Sequence, residues 1–258
     1  MSIRGVVIDV DGTVLRGDDP VPGAREGVDR LARAGVRRLF FSNNPTKAPP
    51  AYRDRLVRAG FDVATEEVVT SGTTAVAYLN DHHPDADAFV VGEAGLRTQL
   101  SEAGVPVVDD PDAAEVVVVS IDREFTYDDL AEAMWALEGG TPFVGTDPDM
   151  VIPAADRDVP GSGAIVTAVA GVAGRDPEVV LGKPSRPARR LVRDRLGLPR
   201  EECLVVGDRL DTDVALGARA GMRTALVLTG IASRADLADA DVEPDHVLDS
   251  LAEVGDVL

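Results

Sequence analysis

Short runs of valine, isoleucine and leucine recur along this chain, and the stretches between them place their apolar residues at helical spacing. The runs at 4–10, 36–42, 88–92, 115–121, 142–145, 203–207 and 223–229 carry the strongest strand signal, with weaker ones at 68–70, 179–181 and 245–248. Helical patterns occupy 22–34, 48–59, 72–81, 94–103, 126–138, 162–174, 185–197, 211–220 and 249–256. Strands that are apolar on both faces and alternate with helices predict an α/β fold with a parallel sheet covered on both sides. Sheets of that kind bind ligands beyond the carboxyl ends of their strands. Three of the predicted ends carry polar residues that suit such a place: Asp9 with Asp11, Ser42, and Asp208.

The chain has 258 residues, of which 45% are apolar, enough for a sizeable core. The polar, turn-rich segment NDHHPDADA (80–88) suits a crossing between domains, and GRDPE (174–178) suits the return. The expected organisation is a discontinuous core, 1–82 with 179–258, and an inserted domain over 83–178. No apolar run approaches the roughly 20 residues that span a bilayer. Cys203 is the single cysteine and has no partner in its own chain for a disulfide, so a cytoplasmic location is the default expectation. A net charge of −19 argues against nucleic acid as a partner.

Four short motifs stand where chemistry is expected. In DVDGTV, alternation along a strand would put Asp9 and Asp11 on one face, and Gly12 allows a sharp turn. Two carboxylates that close repel unless a cation lies between them or one keeps a proton. A hard divalent ion such as Mg²⁺ satisfies the first condition; an ordinary strand-to-turn exit is the alternative. SNNPTK (42–47) offers a hydroxyl and backbone N–H groups for an anion at a helix start, or else a helix cap and an asparagine turn. GKPS (182–185) contains one of only two lysines in the chain, Lys47 being the other, which weakens the reading of Lys183 as a solvated loop residue. VVGDRLDTD (205–213) sets Asp208 at a strand end, with Asp211 and Asp213 in the next turn, where helix capping is the alternative for Asp211.

Taken together, DVDGTV, SNN, GKPS and GDRLDTD resemble the four motifs of the haloacid dehalogenase-like superfamily of phosphohydrolases. SIDREFTYDDLAEA, FVGTDPDMVIP, VPGSGAIVTAVAG and AGMRTALVLTG extend the likeness to the subgroup with a large cap inserted between the second and third motifs. That subgroup holds 4-nitrophenyl phosphatases, nucleotide monophosphatases, phosphoglycolate phosphatases and pyridoxal phosphate phosphatases. The resemblance implies a Rossmann-like doubly wound sheet with an inserted α/β cap, and hydrolysis of a small phosphomonoester with Mg²⁺ as cofactor. It makes Asp9 the nucleophile that becomes an aspartyl-phosphate, and Asp11 the acid–base residue, whose backbone carbonyl also contacts the metal. Ser42, Asn43 and Asn44 fall at the phosphate site, and Lys183 offsets charge on phosphate and on Asp9. Asp208 joins Asp9 as a metal ligand, with Asp213 behind it orienting the metal's waters or Lys183.

Two other readings use the same residue types. A receiver-like phospho-acceptor domain also has a phosphorylated aspartate and a lysine at a sheet edge, but it is about half this length and lacks the acid two positions on. A non-catalytic sugar- or nucleotide-phosphate-binding protein would be expected to lack a motif member, and none is missing. GSGAI lacks the third glycine of a dinucleotide fingerprint, with Val166 in its place, and Pro177 stands where a P-loop has its first glycine. In the inserted domain, Glu124 and Asp147 are the candidates for substrate contact, although Asp147 and Asp149 also suit a plain turn. His82, His83 and His246 show no metal-ligand spacing and read as surface residues.

Arginines number 24 against two lysines, and aspartates 31 against 14 glutamates. An acidic, lysine-poor surface holds water in concentrated salt, where screening shrinks to about 3 Å. A GC-rich genome also favours Arg and Asp, but codon bias alone does not predict so large an acidic excess. Salt adaptation therefore predicts that thermal stability and turnover rise between dilute buffer and molar KCl, as melting curves and initial rates across a salt series would record.

Overall fold

A computed structural model describes residues 2–152 and 157–258. The chain forms two compact units, one from Met1–Ser42, Pro49–Val69 and Ala188–Leu258, the other from Asn43–Ala48 and Thr70–Pro187.

The first unit is built on a six-stranded sheet in the order His246–Leu248, Arg223–Val227, Cys203–Gly207, Gly5–Asp9, Arg37–Ser42, Val68–Thr70. The first five strands in that order run parallel. Counted along the chain within this unit, the order is 3-2-1-4-5-6, the Rossmann arrangement, with its switch point between Gly5–Asp9 and Cys203–Gly207. Alternation divides the strand residues between two cores. Val6 and Ile8 join Leu31, Tyr52 and Leu56 on one face, while Val7 joins Val192, Leu196 and Leu216 on the other. Both faces are apolar because helices cover both.

The second unit repeats this logic with a different order. The strands of its five-stranded sheet lie as Val179–Val180, Phe143–Gly145, Val116–Val119, Ala88–Val91, Val107–Val108, all parallel. Here the order along the unit is 2-1-3-4-5, as in flavodoxin-like sheets. Val116 and Val118 pack with the helices Ser71–His82 and Ala94–Glu102 through Ala75, Leu79, Leu96 and Leu100. Val117 and Val119 face Tyr127–Ala136 and Ser162–Ala173 through Ala133, Ile165 and Val169. Local signals set the helix starts: Thr126 accepts the Asp129 backbone N–H, and the Asp129 carboxylate accepts the Thr126 N–H at 2.7 Å, a reciprocal cap.

The expected strands and helices appear with ends shifted by one or two residues, and the departures have physical causes. The crossings expected at 80–88 and 174–178 lie inside the second unit, because Ala75, Leu79 and Leu181 pack into its core. Residues 211–220 are not one α-helix: a π-helical turn, Leu210–Val214, precedes the helix Ala215–Ala220. The segment Leu251–Val257 is 3₁₀ rather than α-helical. Strands of two residues, among them Val107–Val108 and the hairpin of Leu15–Arg16 with Asp19–Pro20, are too short for any period to reveal. No helix among the described residues is long and apolar enough to cross a membrane.

The helix Ala24–Arg33 lies so close to the last segment that a Cβ at Gly27 would collide with the Leu251 carbonyl. Gly27→Ala should therefore lower stability by about 1–3 kcal/mol, although alanine is the better helix former, and urea unfolding monitored by circular dichroism would measure the loss.

Candidate active site

The switch point of the first sheet sets two carboxylates side by side. Val7 and Ile8 pair in register with Val205 and Val206, so the adjacent strands end together, one in Asp9 and the other in Gly207 followed by Asp208. The π-helical turn then brings Asp213 back over the same edge. All three aspartates are buried, and each offers a carboxylate oxygen within 4.8 Å of the others. Asp213 thus belongs to the cluster itself.

Backbone restrains these side chains closely. Asp208 Oδ2 accepts the Ile231 N–H at 2.8 Å, and its carbonyl accepts the Ala232 N–H at 3.0 Å. Asp213 Oδ2 accepts the Arg209 N–H at 3.2 Å. A Cβ at Gly12 or Gly230 would overlap the Asp208 carboxylate, and one at Gly207 would overlap that of Asp213. Gly12 also has φ 101°, a conformation costly for other residues. Asp211 is different: its side chain is 68% exposed and grips Arg209 through two hydrogen bonds of 3.1 and 2.9 Å. Burial works to raise its pKa, and the Arg209 hydrogen bonds and charge outweigh it, holding Asp211 below its ordinary range.

Three buried, mutually close carboxylates fit a hard divalent cation, whose preferred ligands are oxygens and whose charge offsets their repulsion. Asp11 lies apart from this cluster in its contacts. Its carboxylate accepts hydrogen bonds from Ser42 Oγ at 3.0 Å, Tyr52 Oη at 3.2 Å and Arg55 Nη1 at 2.9 Å. Tyr52 and Arg55 carry no motif in the sequence, and their only signal is a three-residue spacing beside Leu56 on the inner face of Pro49–Arg58.

The other expected residues belong to the second unit. Asn43 Oδ1 accepts the Lys183 backbone N–H at 2.8 Å, and Asn43 Nδ2 lies 3.4 Å from both the Lys183 carbonyl and Asp149 Oδ2. Lys183 is only 2% exposed, which excludes a solvated loop lysine. A Cβ at Gly182 would sit 2.7 Å from that of Asp147 and 2.9 Å from Asn43 Oδ1, so glycine permits the approach. Asn44 folds a turn by accepting the Thr46 N–H at 2.9 Å, and the helix begins only at Pro49. Residues 43–48 are therefore a loop and not a helix N-terminus.

Asp147 is buried, and burial first, then the charge of Asp149, pushes its pKa up to about 7. Ser162 and Thr146 hydrogen-bond it, and the Asp149 N–H donates to it at 3.2 Å. The glycines of PGSGAI serve packing: at Gly161 and Gly163 a Cβ would strike the carbonyls of Asp149 and Pro148. Glu124 is exposed in the turn before the helix Tyr127–Ala136. Of the histidines, His83 is not on the open surface: its Nε2 meets the Glu178 carboxylate at 3.0 Å, and Tyr78 Oη donates to the same oxygen.

Comparison with known proteins agrees with this geometry. The haloacid dehalogenase-like hydrolase family matches residues 6–106, and a second, HAD-hydrolase-like family matches 180–254. The sugar-phosphatase AraL of Bacillus subtilis is 35% identical over 98% of this chain and 93% of its own length. An acid sugar phosphatase of Staphylococcus aureus is 34% identical over 97% and 96%. The solved p-nitrophenyl phosphatase of Archaeoglobus fulgidus superposes with a TM-score of 0.94 at 35% identity, covering 100% of both chains. A 4-nitrophenylphosphatase of Thermotoga maritima gives 0.92 at 33% identity, covering 98% of this chain and 97% of its own. The chain belongs to the haloacid dehalogenase-like hydrolases, as a phosphatase of that family.

Proposed function

We propose that this protein is a Mg²⁺-dependent phosphomonoesterase of small phosphorylated metabolites, sugar phosphates foremost, acting through an aspartyl-phosphate on Asp9. The observation that carries the reading is the buried trio Asp9, Asp208 and Asp213 at the switch point. The sugar phosphatases among its relatives support the substrate class.

Asp9 attacks phosphorus in line, and its new O–P bond forms as the ester P–O bond breaks. Asp11 gives its proton to the departing oxygen, then takes one from the water that opens the acyl phosphate, returning Asp9 to the carboxylate. Asp9, Asp208 and Asp213, with the Asp11 carbonyl, are the groups that would hold Mg²⁺. When bound, the ion offsets negative charge on the carboxylates and on the phosphoryl oxygens. Ser42 and the Asn43 backbone are assigned to those oxygens, with Asn44 shaping the loop, and Lys183 supplies the positive charge of the family motif. Leaving-group recognition is assigned to the inserted domain, with Glu124 and Asp147 as its candidates.

Asp9→Asn should abolish turnover of a sugar phosphate while inorganic phosphate still binds, and quench-flow labelling with radioactive substrate should place phosphate on Asp9 in the parent protein. Label that never appears there refutes the covalent mechanism. Chelation should stop hydrolysis and added Mg²⁺ restore it. Mg²⁺ should also raise the melting temperature of the parent protein but not of Asp208→Asn.

A further inference from the structure

Arg55 is buried to 9% exposure in the middle of a helix whose other arginines, Arg53 and Arg58, face solvent. A guanidinium keeps its charge when taken out of water, so its burial is costly unless its partners replace what water gave. Each of its nitrogens is used: Nη1 donates to Asp11 Oδ1 at 2.9 Å, Nε to Asp18 Oδ1 at 3.2 Å, and Nη2 to the Gly17 carbonyl. Burial acts to lower its pKa, and the charge of Asp11, together with Tyr52 and the hydrogen bonds to Asp11 and Asp18, outweighs that and holds it above the ordinary value. The group thus ties the turn between Leu15–Arg16 and Asp19–Pro20 to the Asp11 carboxylate.

Tyr52, one helical turn earlier and fully buried, completes the arrangement. Its hydroxyl donates to Asp11 Oδ2 at 3.2 Å and lies 2.8 Å from Ser42 Oγ, while the Arg55 guanidinium sits 5.6 Å from its ring centroid. Both Asp11 oxygens are therefore held, although the Asp11 side chain is 47% exposed. A carboxylate on an exposed turn has several rotamers, and proton transfer to an ester oxygen demands one position, with the oxygens about 3 Å apart.

We propose that Arg55 and Tyr52 are positioning residues that fix the Asp11 carboxyl group for proton transfer to the leaving oxygen. The proposal rests on the acid–base reading of Asp11. In the first half-reaction, the Asp11 O–H bond breaks as the proton passes to the ester oxygen and the ester P–O bond cleaves. The carboxylate left behind is the acceptor that Arg55, Tyr52 and Ser42 are built to meet. In the second, a water proton returns to Asp11 while the water oxygen takes phosphorus from Asp9, and both residues end as they began.

The test is leaving-group dependence. An alkoxide leaving from a sugar phosphate needs that proton, whereas 4-nitrophenolate departs without it. Values of kcat/KM, which report the first chemical step, would be compared for both substrates in the parent protein, Asp11→Asn, Arg55→Met, Arg55→Lys and Tyr52→Phe. Arg55→Met should lose about 100-fold on the sugar phosphate and less than about 10-fold on 4-nitrophenyl phosphate, with Arg55→Lys recovering part of the difference. Tyr52→Phe, which removes one oxygen, should shift the ratio the same way and decides the matter if Arg55→Met does not fold. Equal losses on both substrates, or none, in the Arg55 and Tyr52 variants while Asp11→Asn discriminates would overturn the positioning role alone. An Asp11→Asn variant that does not discriminate would overturn the acid role and this proposal with it.

Discussion

Repulsion among Asp9, Asp208 and Asp213 is the condition that the rest of the first unit is organised around. Like charges less than 5 Å apart cost about 3–4 kcal/mol per pair at an effective dielectric near 20. A single hydrogen bond returns only about 1 kcal/mol, so the donors at Ile231 and Arg209 orient these carboxylates without making them comfortable. A cation among them, or a proton kept on one of them, does that. The sheet order creates the meeting place, since a strand-order reversal opens a crevice at the carboxyl ends, and the π turn adds the third carboxylate.

Two sheets organise the motifs of the chain. The first holds the cluster of Asp9, Asp208 and Asp213 and the Ser42–Tyr52–Arg55 network; the second holds Asn43, Lys183 and the Asp147–Asp149 turn. Residues of one motif, Ser42 and Asn43, are neighbours in the chain yet belong to different units. Each unit closes its own two apolar faces, so neither sheet relies on the other for a core.

The strands were legible because each is short, apolar on both sides and ended by polar residues, a pattern that few conformations besides a buried strand can accommodate. Asp9 and Asp208 were legible for the same reason, as charges standing where an apolar run stops. Arg55 and Tyr52 were not: a single arginine in an arginine-rich helix reads as solvated, and only the tertiary fold reveals which one turns inward. Nor could sequence separate a π turn from the first turn of a helix, because LDTDVALG supports both. The SNNPTK loop misled for a related reason. Its polar residues suit a helix cap, but Asn44 commits its side chain to a local turn and Pro49 starts the helix six residues after Asn43.

Gly12, Gly207 and Gly230 give the acidic edge an unusual kind of specification. The carboxylates take their places where three backbones carry no methyl group, so part of the site is encoded as empty volume, a mould and not a set of tools. Truncation to alanine, the usual way of ranking residues by what they contribute, runs in the wrong direction at such positions. A survey that removes atoms would rate them silent, although they leave the room in which the Asp208 and Asp213 carboxylates lie.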